Sequence, residues 1–223
     1  MTVESLQSNF CAIAREREAQ MSPFDVILFD VGGVLLTNGW DHGERRAAVE
    51  RFHLDLAELE ARHAKAADAW ERGASTLDQY LDETVFYEPR NFTREDFFDF
   101  MLEQSQLLKD GAMEILKEIS ASNGYMVGAL NNEARETNEF RFGKFDLRRY
   151  FKVALSSCYV GLRKPEPAIY KRALDILGTR PQRVLFIDDR VENVAGGAAS
   201  GMTAIQFKGE AALRAELERM GVV

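Results

Sequence analysis

Three short segments far apart in the chain carry acidic or basic side chains that could do chemistry together. Asp30 stands in Phe29-Asp30-Val31-Gly32-Gly33-Val34, Lys164 in Lys164-Pro165, and Asp188 and Asp189 in Phe186-Ile187-Asp188-Asp189. Each acid follows an apolar run that reads as a buried strand. A carboxylate at such a strand tip lies at the carboxyl edge of a parallel sheet, where open α/β folds hold ligands. Phosphoryl transfer needs an in-line nucleophile and cations to offset charge on the phosphoryl oxygens. A carboxylate can be that nucleophile, and Asp30 is the candidate. Val31-Gly32-Gly33 allows a sharp turn with backbone N–H groups free to face phosphate, and the carbonyl of Gly32 could reach a metal. Adjacent Asp188 and Asp189 repel each other unless a cation lies nearby, and hard oxygen ligands beside phosphate suit Mg²⁺. Lys164, stiffened by Pro165 and Pro167, could pair with Asp30 and the transferred group, whereas Arg163 reads as a surface residue. In Leu130-Asn131-Asn132-Glu133, the Asn131 amide and the Asn132 backbone could hydrogen-bond phosphate.

The elements that must place these residues are short apolar runs at Val26 to Phe29, Tyr125 to Leu130, Val153 to Ser156, Val184 to Ile187 and Thr203 to Phe207. Runs of this kind fit a parallel sheet covered on both faces. Helical patterns lie between them at 111–122, 167–177, 192–200 and 210–220. The alternation predicts a doubly wound, Rossmann-like α/β domain. From about Asn38 to Leu108 no strand is evident. Helical segments at about 43–53, 55–72, 76–86 and 94–107 predict an all-helical insert after the first strand. Ser75 is placed to cap the third of these, with Asp78 three residues on, and Thr93 the fourth, with Asp96. The predicted division is a core of 1–37 and 109–223, with 1–22 as an N-terminal helical extension, and an insert of 38–108.

Composition narrows the function classes. The 223 residues are 46% hydrophobic and 10% aromatic, ample for a sizeable core, and the formal net charge is −8. That balance argues against nucleic-acid binding, which needs clustered Lys and Arg, but not against phosphorylated metabolites. The two cysteines, Cys11 and Cys158, read as free thiols of a reducing cytoplasm. No apolar run reaches the roughly 18 residues of a membrane span, and the polar first 21 residues do not read as a signal peptide. The oligomeric state is not legible.

Taken together, these residues resemble the haloacid dehalogenase-like hydrolase superfamily, over about Phe24 to Phe207, in its subgroup with a helical (C1-type) cap after the first motif. Phe29-Asp30-Val31-Gly32-Gly33-Val34-Leu35 looks like motif one, Asn131 occupies the motif-two position, Lys164-Pro165 looks like motif three, and Asp188-Asp189 with Asn193 is similar to motif four. The resemblance implies a Mg²⁺-dependent phosphatase acting on a small phosphorylated metabolite through an aspartyl-phosphate. Asp30 would be nucleophile and metal ligand, Gly32 a carbonyl ligand, Lys164 the residue that orients the nucleophile and offsets charge, Asp189 the direct ligand with Asn193 four residues later, and Asp188 a supporting acid. Two positions depart from the pattern: Gly32 stands where the general acid–base is usual, and Asn131 replaces a Ser or Thr. General acid–base help is worth about 10²–10⁴-fold, so the substitution implies a preference for good leaving groups such as acyl, aryl or anomeric phosphates. His42, Asp41 and Glu133 are candidates for a substitute acid. The alternatives are a catalytically weak or inactive phosphate-binding or regulatory module, and the metal-free dehalogenase branch, against which the acidic pair argues. Substrate choice would lie with the cap, expected to hinge near Leu36 to Gly39 and Leu108 to Gly111. Trp40 would line the entrance or pack the hinge, with Trp70, Phe86 and Tyr87 in the bundle core.

Overall fold

The computed structural model describes residues 22–122 and 124–223. The N-terminal extension and Cys11 therefore lie outside the described residues, all but Ser22 of the former. Five strands form one parallel sheet: β1 (Val26–Phe29), β2 (Met126–Asn131), β3 (Val153–Ser156), β4 (Val184–Asp188) and β5 (Thr203–Gln206), ordered β3-β2-β1-β4-β5. In register, Val26 faces Met126 on one side and Val184 on the other, so β1 is the centre of the sheet. Every residue of β1 and β4 is buried, which is why both runs are continuous apolar rather than alternating. The order reverses direction between β2 and β4 around β1, and the carboxyl tips there define the switch point at which such sheets take ligands.

The helices are α1 (His42–Phe52), α2 (Leu56–Glu71), α3 (Leu77–Thr84), α4 (Arg94–Glu103), α5 (Met113–Ser122), α6 (Arg135–Lys144), α7 (Ser157–Val160), α8 (Pro167–Leu177), α9 (Val191–Ala199) and α10 (Glu210–Arg219). One sheet face packs Ile27, Phe29, Leu185 and Ile187 against Ile115, Leu116, Leu213 and Leu217. The other packs Leu28, Leu130 and Phe186 against Ile169, Tyr170 and Ala173. Helices α1–α4 enclose a separate apolar cluster of Phe52, Leu59, Trp70, Tyr80, Leu81 and Phe97, into which Ala134 reaches from the sheet side. A division into a cap of 38–108 and a core that includes the described residues on either side of it is proposed from that cluster. The two connecting chains run side by side: Thr37 N–H donates to Gln106 O (2.9 Å) and Leu108 N–H to Leu35 O (3.1 Å).

Local details depart from the sequence expectations in two places. Thr76, not Ser75, caps α3: its hydroxyl accepts from Gln79 N–H while the Gln79 side chain accepts from Thr76 N–H. Gln79 supplies the reaching side chain that Asp78, one position earlier in the turn, cannot. Thr93 and Asp96 form the expected box at α4. Second, α6, like the single-turn α7, has no counterpart among the predicted helices. Its buried face is Thr137, Asn138, Arg141 and Phe142, a polar stripe with no apolar period to detect.

Candidate active site

The turn after β1 sets the geometry. Leu36 N–H donates to Val31 O and Gly33 N–H to Leu36 O, a bridge that skips Gly32. Among the described residues nothing partners the N–H or C=O of Gly32, and the residue lines the cavity above the sheet. Gly33 does not line it, because its N–H is spent on Leu36 and it packs against Asp189. At Gly33 φ is +70°, and a Cβ there would lie 2.2 Å from Asp189 Oδ2. Both facts require glycine. Gly33→Ala is expected to cost about 2 kcal/mol or more by thermal unfolding and to displace the Asp189 carboxylate. Full stability and activity in that variant would show that the turn relaxes freely.

Asp30, at the tip of β1, is 7% exposed; Lys164 is 3% exposed and Asp188 not at all. Lys164 Nζ lies 3.0 Å from Asp30 Oδ2 and 2.6 Å from Asp188 Oδ2. Asp30 Oδ1 accepts from Val31 N–H at 2.7 Å. Asp188 Oδ1 accepts from Arg190 N–H (2.9 Å) and Asn193 Nδ2 (3.0 Å). The Lys164 loop is fixed from β2: Asn132 Oδ1 accepts from Lys164 N–H (2.9 Å) and Asn132 Nδ2 donates to Lys164 O (2.8 Å). Carboxylate oxygens of Asp30, Asp188 and Asp189 lie within 4.8 Å of one another. One ammonium is shared by Asp30 and Asp188, with Asp189 alongside them, and the titration directions follow. Burial pushes Asp30 up, Lys164 pulls it back and Asp188 pushes again, leaving it at about 8. Asp189 is also raised, by burial and then by Asp188. Burial would lower Lys164, but Asp30 and Asp188 more than offset it and hold the ammonium charged. Asp189 Oδ1 is buried, with no hydrogen-bond donor among the described residues. Uncompensated hard oxygens with an orphan among them fit a small divalent cation.

Several placements expected from the sequence change in the folded chain. Asn131 is 1% exposed and faces away from the cavity. Its amide donates to Asn138 Oδ1 (3.0 Å) and its carbonyl accepts from Ser156 Oγ (2.8 Å), so β2, β3 and α6 consume the groups expected to meet phosphate. Asn193, expected to be a metal residue, turns its N–H₂ to both oxygens of Asp188, a donor end that orients a carboxylate and does not ligate. Asp188, expected to be a supporting acid, is the hub of the cluster. His42 is not at the site: its ring bonds Glu60 and Arg46 on the cap surface. Asp41 and Glu133 do line the cavity, but Asp41 pairs with Arg190 (2.8 Å) and Glu133 with Arg141. Arg163 bonds Glu71 (2.7 Å) and Asp68 (3.0 Å) across the cavity wall rather than standing free in solvent. Trp40 both lines the cavity and donates to Tyr80 in the cap, and Trp70 lines it while stacked on Tyr80.

Arg141, Arg45, His63 and Glu71 are among the lining residues that carry no signal in the sequence. Arg141, 1% exposed, grips the core-to-cap connection, donating to Thr37 O and Asn38 O. Its Nη2 lies 3.8 Å from where a Cβ on Gly32 would be. A guanidinium thus stands beside the position of the missing acid. Glu71 is raised by burial, lowered by Arg163 and raised again by Glu133. His63 is pushed down from 6.5 to about 4, by burial first and then by Arg45. The unfolded chain takes this proton near 6.5 and the folded chain near 4. Stability is therefore expected to fall as pH drops through that window, by about 2 kcal/mol. Urea midpoints of wild type and His63→Phe at pH 7 and 5 check it; an identical pH slope in both would refute the assignment.

Known proteins share this architecture. The haloacid dehalogenase-like hydrolase family matches residues 24–201, and the chain belongs to that hydrolase family. It is 25% identical over 215 residues to bifunctional epoxide hydrolase 2 of Sus scrofa, a match covering 86% of this chain and 38% of that one. It is 29% identical over 164 residues to flavin mononucleotide hydrolase 1 of Arabidopsis thaliana, covering 74% and 65%. The chain thus spans less than two thirds of either relative. A haloacid dehalogenase family enzyme of Bacteroides thetaiotaomicron, solved with magnesium and inorganic phosphate, superposes with a TM-score of 0.65 at 18% identity, covering 83% of this chain and 95% of that one. L-2-haloacid dehalogenase of Xanthobacter autotrophicus superposes at 0.59 with 17% identity, covering 90% and 84%. Likenesses this distant show the fold alone. Among the described residues no helix is long and apolar enough to cross a membrane.

Proposed function

We propose that this chain is a Mg²⁺-dependent phosphatase of small phosphorylated metabolites, with Asp30 as nucleophile. The observation that carries the reading is the cluster of Asp30, Asp188 and Asp189, with the buried Lys164 paired to the first two and with Asp30 and Lys164 lining a cavity of about 300 Å³. A carbon–halogen displacement has no use for three converging carboxylates. Asp30, Asp189, Asp188 and the Gly32 carbonyl would hold Mg²⁺, which when bound supplies positive charge to the phosphoryl oxygens. Lys164 aims Asp30 and pulls its carboxyl toward the ionised form, which bound Mg²⁺ would complete, and it adds charge beside the attacked phosphorus. Asp30 Oδ2 attacks in line, the P–O bond to the leaving group breaks, and the electron pair departs on that oxygen. Water then cleaves the aspartyl-phosphate and returns the carboxylate. The Gly32 N–H, unpartnered among the described residues, faces the transferred group. A cytoplasmic location, in keeping with the free buried Cys158, is part of the same proposal.

One observation favours a second reading, a phosphate-binding module of weak or no activity: Gly32 carries no acid. A carboxylate can be built there. The Gly32 Cβ position is 3.3 Å from Asn38 Oδ1, which a small side-chain shift accommodates, and φ is not positive. Gly32→Asp is expected to raise alkyl phosphate turnover about tenfold relative to aryl phosphate. The gain falls short of the full acid–base range of about 10²–10⁴, because Arg141 beside the new carboxyl disfavours its protonated form. An unchanged alkyl-to-aryl ratio would remove the leaving-group argument. The function itself is tested by phenyl phosphate hydrolysis with Mg²⁺, with and without chelator, against Asp30→Asn. Turnover that needs both metal and Asp30 supports the phosphatase. Binding of inorganic phosphate without Asp30-dependent turnover supports the module.

A further inference from the structure

The cap wall carries a hydrogen-bonded chain that ends in the cavity. Tyr80 of α3 is 1% exposed, and its ring stacks on Trp70 with centroids 4.1 Å apart. Its hydroxyl has two partners: Trp40 Nε1 at 2.7 Å and His63 Nδ1 at 2.8 Å. An indole nitrogen only donates, so the hydroxyl oxygen receives the Trp40 proton. The hydroxyl's own proton is then available to His63 Nδ1, and we assign that nitrogen as the unprotonated one. The proton of the neutral ring is thereby assigned to Nε2. Among the described residues no group partners Nε2. His63 lines the cavity with Trp40, Trp70 and Ala67, while Tyr80 behind it does not, so the Nε2 edge is the one turned toward the open space.

The charged groups around it are already matched. Arg45 is held by Glu60 through Nε (3.0 Å) and Nη2 (2.9 Å), and by Trp40 O through Nη1 (2.8 Å). Arg163 is held by Asp68 and Glu71, and Arg190 by Asp41. An anionic leaving group would have to break these pairs, whereas an uncharged oxygen finds a donor waiting. The indole rings beside it suit the C–H face of a compact leaving group. The cavity, at about 300 Å³, is at the small end of ligand pockets.

We propose that His63, locked as a neutral Nε2–H donor by the Trp40–Tyr80 chain, is a specificity-determining residue that reads an uncharged hydroxyl or ether oxygen of the leaving group, so that the substrates are phosphate esters of small polyols or sugars rather than inorganic pyrophosphate. This rests on the phosphatase reading of the Asp30 cluster. The depressed affinity of His63 for a second proton keeps the donor neutral across the physiological range.

Two measurements test it. ¹⁵N-histidine NMR of the wild-type protein, with its three histidines assigned by substitution, is expected to show His63 as the Nε2–H tautomer at pH 7. Tyr80→Phe should remove that preference. A protonated Nδ1 in the wild type, or an imidazolium, would overturn the assignment whether or not the chain is a phosphatase. Steady-state kinetics on glucose 1-phosphate, glycerol 1-phosphate, phenyl phosphate and pyrophosphate supply the second test. His63→Phe is expected to raise KM for whichever hydroxylated ester is preferred by about tenfold or more and to lower the ratio of its kcat/KM to that of phenyl phosphate by a similar factor, and His63→Gln to recover part of the loss. Equal losses on phenyl phosphate and the hydroxylated esters, or wild-type preference for pyrophosphate, would overturn it. Absence of Asp30-dependent turnover on all four would instead strike the phosphatase reading, and the NMR result would stand apart from it.

Discussion

Lys164→Met is expected to abolish turnover and to destabilise the fold by about 3 kcal/mol or more, the range for breaking a buried ion pair from one side. Its ammonium is the shared partner of Asp30 and Asp188, and methionine fills similar space with no charge. The sign of the pH dependence follows from the carboxylates left behind. Burial already holds Asp30 above its unfolded value. Without Lys164 that excess proton affinity of the folded state grows, so stability is greatest below the unfolded value of 3.8 and is lost progressively as pH rises toward the raised folded value. Mg²⁺ should restore part of the loss by replacing the missing positive charge. Urea denaturation from pH 5 to 8, with and without Mg²⁺, checks both effects. A variant as stable as wild type at pH 8 would mean that the cluster is not held by Lys164.

Asp30→Asn is expected to reduce phenyl phosphate turnover by about 10³-fold or more while leaving the thermal midpoint unchanged or raised. The amide keeps the shape and removes a carboxyl that burial and Asp188 hold far above its ordinary range, and groups strained for chemistry commonly cost stability. Loss of turnover accompanied by unfolding would make Asp30 a structural acid. Retained turnover would move the nucleophile elsewhere.

How much of this is legible in the sequence depends on what kind of residue carries the signal. The strands are readable because β1 and β4 are buried on both faces and so are unbroken Val, Ile, Leu and Phe runs. The acids at their tips are readable because a charge directly after such a run has little structural reason to be there. The Lys164 contact can be anticipated from its rigid Pro-flanked loop. Helix α6 is hidden because its inward face is polar. With it goes Arg141, whose burial depends on backbone carbonyls of Thr37 and Asn38 and the Glu133 carboxylate. Asn131 reads as a phosphate donor because strand-tip position alone does not tell which way an amide points. The network with Ser156 and Asn138 forms only once β3 and α6 pack. His63 sits among charged helix neighbours in sequence, and nothing there reveals Tyr80 behind it.

The most direct test of the central claim is acid-quench peptide mapping. Protein mixed with Mg²⁺ and phenyl phosphate is denatured in acid within the turnover time, digested and analysed by mass spectrometry. The expected result is a phosphoryl group on the peptide containing Asp30, absent when chelator replaces Mg²⁺ and absent in Asp30→Asn. Hydrolysis proceeding with no phosphoryl group on that peptide, or with the group on another side chain, would contradict it.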